Sequence, residues 1–402
     1  MSQSFRDAYI VSAVRTPLGR FGGALKDLSA VDLGGHAMRA ALDKAGLTGA
    51  ELEGYIFGNV ISGGLGQHVA RQAAFKAAIP DNVDGYHVNM VCSSGMVAVM
   101  NAATHIRGGV GDIFLAGGTE SMSQAGYFLD SRARWGYKLV FGSAGAPLRD
   151  MLVHDGLTDP STGEGMGDQT ERLAKEYGIT REELDRVACE SHRRAAAATE
   201  NGDLLKEIAP ITIKGRKGDT VVDRDEGIRA DTTMESLARL APAFSKDGVL
   251  TAGNASQITD GAAALVIASG DAVKAHGWKP LARLLAGTWS AGPGWRFAEA
   301  PAPGVQKLLG RLGMQASDID LYENNEAFSI NSVLFERLMG VPQDKLNVHG
   351  GAVALGHPIG ASGARIIVTL LHALQAQDKT TGIATLCHGM GGSTAIAIER
   401  MV

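Results

Sequence analysis

Two stretches of this chain repeat one another in outline. Ala45-Gly46-Leu47 followed by Glu51-Leu52 resembles Leu312-Gly313-Met314 followed by Asp318-Ile319. Ser94-Gly95 and Ser362-Gly363 both read as the opening of a helix. Gly46 to Gly95 and Gly313 to Gly363 each span about 50 residues, so the landmarks agree in order and spacing, as in an internal repeat. A duplicated unit is the simplest account, and chance similarity of Gly-rich segments is its competitor. At 402 residues the chain exceeds what one simple core usually serves.

Each copy reads as α/β. In the first, apolar periodicity predicts strands over 7–13, 55–60, 88–91 and 112–116, and helices over 30–45, 67–78 and 94–107. Such alternation predicts a largely parallel sheet. Residues 123–249 differ, with more charge and irregular segments such as Asp155-Gly156-Leu157-Thr158-Asp159-Pro160 around two helices, 168–177 and 181–201. They read as an inserted loop domain lying over the edge of one copy. A buried strand over 261–269 returns to the first copy, and 276–280 reads as a linker. The expected division is residues 1–122, completed by about 250–270; 123–249; and 271–402.

Composition excludes several classes. A formal charge of -5 argues against a general nucleic-acid binder. Hydrophobic residues make up 45% of the chain, as in a soluble globular protein. No run of about 18 apolar residues stands out, so no membrane span is expected. The first residues lack an apolar signal core and Glu399-Arg400-Met401-Val402 is no peroxisomal address, so a cytoplasmic location is expected. Three cysteines form no disulfide framework, and their spacing fits no zinc site, so no metal is expected.

The cysteines sit in different surroundings. Cys92, in Val91-Cys92-Ser93-Ser94-Gly95-Met96, follows an apolar stretch and precedes a helix. A thiol there faces the positive end of the helix dipole, which favours thiolate and nucleophilic chemistry. Cys387 also follows an apolar strand, and Gly389-Met390-Gly391-Gly392 beyond it can present N–H groups to an anion. Taken alone, Cys387 reads equally as a buried structural thiol. Cys189, inside a helix with no glycine near, reads as a bystander. His357 lies in Gly350–Gly363, a run of glycine and small residues in which it is the only titratable group. That singles it out among 11 histidines as a base with a fixed orientation. Asn325-Glu326 follows the strand predicted over 319–323 and precedes the helix predicted over 327–339; the pair fits helix caps or holders of a water or substrate oxygen.

Together these segments resemble the thiolase family, the acetyl-CoA C-acyltransferases. The likeness runs over essentially the whole chain and includes Val14-Arg15-Thr16-Pro17, Gly117-Gly118-Thr119-Glu120-Ser121-Met122, Asn254-Ala255-Ser256, Asn325–Phe328 and Cys387–Gly391. The resemblance implies duplicated α/β halves layered α-β-α-β-α, and a homodimer or homotetramer with Arg132–Phe141 as the candidate contact between dimers. It implies no permanently bound cofactor, with coenzyme A as a substrate and CoA thioesters as partners. By it, Cys92 carries the acyl group, His357 is its base, and Cys387 handles the proton of the acetyl-CoA methyl. Asn325 positions an oxyanion-hole water, and the N–H groups of Cys92 and Gly389 form a second oxyanion hole. Ser256, Met166, Arg229 and Phe244 contact coenzyme A, and Phe328 lines the pantetheine channel.

The chain departs from the family pattern in three places. Gly165 replaces a histidine that many acetoacetyl-specific members carry, His388 and Met390 interrupt a plainer glycine run, and Asn324 precedes Asn325. The reaction expected is reversible condensation of two acetyl-CoA to acetoacetyl-CoA, or cleavage of 3-ketoacyl-CoA by free CoA. Longer-chain degradative thiolysis, a decarboxylating ketosynthase and a non-enzymatic acyl-CoA binder are the alternatives. The Cys92, His357 and Cys387 set opposes the last two.

Overall fold

The computed structural model describes residues 6–137, 148–216 and 218–401. Its main sheet runs, in spatial order, Leu321–Asn324, Thr381–His388, Gly392–Arg400, Ala282–Ala291, Ala8–Arg15, Thr259–Ser269, Ile113–Ser121, Gly54–Gly58 and Gly85–Val88. The two-residue strand Gly19–Arg20 pairs beside it on Thr259–Ser269. Numbered within its own half, the first copy has the strand order 3-2-4-5-1. The second has 2-4-5-1, and Leu346 bridges Tyr322 in parallel where strand 3 would lie. The duplication is therefore written into the topology.

The sheet is mixed, which corrects the expectation of a largely parallel one. Parallel ladders join Gly54–Gly58 to its two neighbours and Leu321–Asn324 to Thr381–His388. The centre is antiparallel. In the first half the long insertion, with its helices, joins the fourth strand to the fifth; in the second half no helix intervenes. Gly389, Met390 and Gly391 alone connect Thr381–His388 to Gly392–Arg400, a link that only antiparallel neighbours can use.

Side-chain alternation along the strands builds five layers. Ala262, Ala264, Val266 and Ala268 face the helices Ala30–Ala45 and Val69–Lys76, packing on Leu33, Ala37, Met38 and Ala73. Their neighbours Ala263, Leu265 and Ile267 face the opposite way, onto Met96, Val99, Ile366 and Leu370 of the helices Ser94–Arg107 and Ile359–Ala376. The second half closes over this helix pair with Leu284, Leu386, Ile396 and Ile398. Ile383, Ala395 and Ala397 face outward onto Val305, Leu308 and Phe335 of the helices Pro301–Leu312 and Ser329–Met339. Each fully buried aliphatic side chain contributes ~1.5–3 kcal/mol relative to exposure.

The repeated landmarks have physical causes. Gly46 and Gly313 end equivalent helices in the left-handed region, at φ 68° and 65°, where a side chain would be strained. Gly95 and Gly363 let the two central helices touch: a Cβ on Gly95 would lie 2.8 Å from the Ala364 nitrogen, and one on Gly363 would strike the Met96 backbone. The helix Ile359–Ala376 starts three residues before Ser362, not at it. It is also long and apolar enough to cross a membrane by composition, an exception to the expectation above; 89% of it is buried in the core.

Candidate active site

Cys92 occupies a tight turn between sheet and helix. The strand expected over 88–91 ends at Val88, and Val91 adopts φ 50°, a left-handed conformation costly for a β-branched residue. Ser94 fastens the turn, its hydroxyl donating to the Val91 carbonyl at 2.6 Å and accepting from the Met90 N–H at 2.8 Å. Cys92 packs on the apolar cluster of Val60, Ile61, Met122, Leu152 and Ile359. Burial pushes its thiol up to about 12, against the pull of the Gly389 and Cys92 backbone N–H groups. Burial thus opposes the thiolate that a helix terminus alone would favour. Desolvation outweighs those dipoles.

His357 is held from three sides. Its N–H donates to the Gln257 carbonyl at 3.2 Å and to Thr259 Oγ1 at 3.1 Å. Its Nδ1 lies 2.5 Å from Ser362 Oγ, while that hydroxyl donates to the Pro358 carbonyl at 2.9 Å. Ser362 Oγ is thus left to accept from Nδ1–H, and Nε2 keeps a lone pair. Nε2 is buried without a hydrogen-bond partner. Burial, with a smaller push from Arg365, lowers the imidazole to about 3. Burial therefore favours the neutral form of both the Cys92 thiol and the His357 imidazole.

Cys387 is 1% exposed and close enough to Cys92 for the two thiolates to repel. Burial raises its pKa most, and Asn331 Nδ2, 3.4 Å from the sulfur, opposes the rise. Asn325 lies behind His357, with Nδ2 at 3.5 Å from His357 Nδ1 and Oδ1 accepting from Arg365 Nη2 at 3.0 Å. The following helix begins at Ser329, so Asn325 and Glu326 do not cap it; Asn331 Oδ1 accepts from the Phe328 N–H instead. Glu326 accepts from Ser191, Asn347 and Ser332 and ties the helix Arg181–Glu200 to the core.

One cavity of about 510 Å³ is lined by Cys92, His357, Cys387 and Gly389, and also by Ser256, Met166, Arg229, Phe244 and Phe328. Of the ten residues singled out in the sequence, Asn325 alone does not line it. The segment with Asn254-Ala255-Ser256 pairs with Ala327-Phe328-Ser329, through Ser256 N–H to the Ala327 carbonyl at 3.0 Å and Ser329 N–H to the Asn254 carbonyl at 2.9 Å. Phe244 meets Phe328 edge-on, with ring centroids 5.9 Å apart. The Arg229 N–H donates to His192 Nδ1 at 3.1 Å. Cys189 is half-buried, against the Thr232 carbonyl.

The thiolase N-terminal domain description matches residues 8–271, and the thiolase C-terminal domain description matches residues 278–400. The chain belongs to the thiolase family. It is 63% identical to an acetyl-CoA acetyltransferase of Synechocystis sp. over 98% of this chain and 100% of the relative. It is 47% identical to an acetyl-CoA acetyltransferase of Escherichia coli, with the same coverage. Among solved structures, the acetyl-CoA acetyltransferase of Bacillus anthracis superposes with a TM-score of 0.96 at 41% identity, covering 100% of both chains. A thiolase from Ascaris suum in complex with coenzyme A gives a TM-score of 0.91 at 40% identity, over 98% of this chain and 100% of the other. This thiolase is therefore an acyltransferase enzyme, and the non-enzymatic alternative falls.

Three polar residues around the thiolase centre escaped the sequence reading. Ser362 was legible only as a helix landmark, although its place in the His357 run was a usable signal. Asn331 and Arg365 gave no signal of their own. Glu120 belongs to a quoted motif, and its carboxylate accepts from the Val60, Ile61 and Gly360 N–H groups and from Asn59 Nδ2, at 2.9–3.1 Å. It ties the His357 loop to the first half, while burial raises its pKa to about 7 against those donors.

Proposed function

We propose that this thiolase interconverts two acetyl-CoA with acetoacetyl-CoA and free CoA through an acyl group on Cys92. The carrying observation is that Cys92, Cys387 and His357 line the same cavity as Ser256, Met166, Arg229, Phe244 and Phe328. The names of the Synechocystis and Escherichia coli relatives support acetyl-CoA as the substrate.

The chemistry follows from the resting protonation. The Cys92 sulfur attacks the thioester carbonyl as His357 Nε2 takes its proton. The Cys387 thiol protonates the departing CoA sulfur and becomes a thiolate. That thiolate removes a proton from the methyl group of the second acetyl-CoA, and the carbon attacks the Cys92 acyl carbon. The N–H groups of Cys92 and Gly389 hold the tetrahedral oxyanion. The imidazolium of His357, with a water held by Asn325, stabilises the enolate oxygen. Cys92 then leaves as thiolate and recovers its proton from His357, so all protons balance. Ser256, Met166, Arg229, Phe244 and Phe328 hold coenzyme A, and the enzyme carries no cofactor or metal of its own.

A substrate panel tests the reading. Thiolysis with free CoA is measured for acetoacetyl-CoA and for 3-ketoacyl-CoA chains from about C6 to about C16. Highest kcat/KM on acetoacetyl-CoA supports it, and preference for the long chains favours the degradative alternative. The apolar wall of Met122, Leu157, Ile258 and Ile359 around the cavity makes the comparison informative.

The domain division at 1–122, 123–249 and 271–402, a cytoplasmic location and a homo-oligomer, most simply a tetramer, complete the proposal. For Arg132–Phe141 as the contact between dimers, Trp135, which is 79% exposed, and Tyr137 are the support; Phe141 lies outside the described residues. Light scattering reading a single 41.9 kDa chain at micromolar concentration would overturn the oligomer.

A further inference from the structure

The helix Ile359–Ala376 is apolar nearly all round, yet Ser362, Arg365, Thr369 and His372 form one polar stripe at helical spacing. Ser362 holds His357, and Thr369 donates to Glu207. Arg365, between them, is 1% exposed. Among the described residues its one hydrogen bond runs from Nη2 to Asn325 Oδ1 at 3.0 Å, and its Nε and Nη1 have no partner. The buried carboxyl of Glu323 has Oε2 4.0 Å from Nη1, and burial pushes it up to about 8, toward the neutral acid. A buried guanidinium is costly unless charge and hydrogen bonds compensate it. Here that compensation is spent on a single amide oxygen.

That bond decides which way Asn325 faces. An amide presents an acceptor at one end and two donors at the other. With Oδ1 committed to Arg365, Nδ2 is turned toward His357. We propose that Arg365 is a positioning residue: by holding Asn325 Oδ1, it keeps the Asn325 N–H donors on the His357 side of the reaction centre. The same guanidinium also favours the neutral imidazole of His357. The inference rests on the reading of His357 and Asn325 as parts of that centre.

A mutant cycle tests it. Steady-state kcat and KM for acetyl-CoA condensation, and thermal melting, are measured for Asn325→Ala, Arg365→Met and the double variant. Arg365→Met is expected to lower kcat by roughly 10- to 100-fold, as loss of an orienting partner does, with KM nearly unchanged. In the Asn325→Ala background the same change should cost less than about twofold more. A double variant that loses the full product of both factors overturns the inference, as does wild-type kcat in Arg365→Met. Wild-type kcat in Asn325→Ala overturns the underlying reading of the site instead. Should Arg365→Met fail to fold, Arg365→Lys, which keeps the charge without the planar fork, takes its place in the cycle. Wild-type kcat for Arg365→Lys would show that charge suffices and would overturn the gripping role.

Discussion

Ser362 Oγ and His357 Nδ1 lie 2.5 Å apart, and the hydroxyl proton is already committed to the Pro358 carbonyl. The imidazole is therefore fixed in ring orientation and in tautomer, with Nε2 as the proton acceptor. Ser362→Ala removes both constraints and leaves the thiols untouched. The acylation rate of Cys92 by acetyl-CoA should fall on the order of 10- to 100-fold, read by quenched-flow mass spectrometry. An unchanged rate would mean that the His357 backbone contacts alone orient the ring.

His357 has a second consequence, in pH. An ordinary imidazole titrates near ~6.5, but burial lowers His357 to about 3. Its base form then persists on the acid side, so the acylation rate should be flat from about pH 8 to about pH 5. An acid limb centred near pH ~6.5 would contradict this. Stability moves oppositely. His192 is also held neutral, pushed down to about 4 mainly by burial. Below the unfolded value the unfolded chain takes up protons that the folded chain refuses, so these two imidazoles lower stability as pH drops from about 6.5 toward 4, while the buried carboxyls of Glu120 and Glu323, raised to about 7 and about 8, oppose that loss.

Cys387→Ala should divide the reaction into its halves. Asn331 and Cys92 surround its sulfur, so it is placed for the methyl proton rather than for carrying the acyl group. Acylation of Cys92 should largely survive, because CoA can depart as a thiolate without the Cys387 acid, while condensation falls by ~10²–10⁴, the usual contribution of a general base. Equal loss of both would assign Cys387 to the fold alone.

Gly165 offers a test of acyl preference. It lines the cavity at φ -70°, where a side chain is allowed, and a Cβ there would meet only Asp168 Oδ2 at 3.0 Å and the Leu157 carbonyl at 3.9 Å. Gly165→His should shift the kcat/KM ratio of acetoacetyl-CoA to 3-ketohexanoyl-CoA toward the shorter substrate by ~1–3 kcal/mol. A ratio within about twofold of the wild type would show that position 165 does not bound the acyl pocket.

Local chemistry made parts of this architecture legible. The helix Ala30–Ala45 begins and ends as read from sequence, because Ser29 and Asp32 close a capping box and Gly46 supplies the left-handed stop. Ser94–Arg107 likewise has its expected bounds. The antiparallel centre of the sheet was not legible, since pairing of Ala8–Arg15 with Thr259–Ser269 depends on contacts more than 240 residues apart. The high pKa of Cys92 was not legible for a similar reason: the helix dipole is local, but the burial that overrides it comes from Met122 and Ile359. Ser362 and Arg365 stood in the sequence at helical spacing, yet only the packing shows that this stripe faces His357 and Asn325.

The central claim is that Cys92 carries the acyl group. Brief incubation with acetyl-CoA, acid quench and peptide mass spectrometry measure it directly. The predicted result is an acetyl mass on the Cys92 peptide, absent in Cys92→Ser, which should also lose turnover because an alkoxide is far harder to form than a thiolate. An acetyl mass on the Cys387 or Cys189 peptide, or none on any cysteine while acetoacetyl-CoA is still formed, would contradict it.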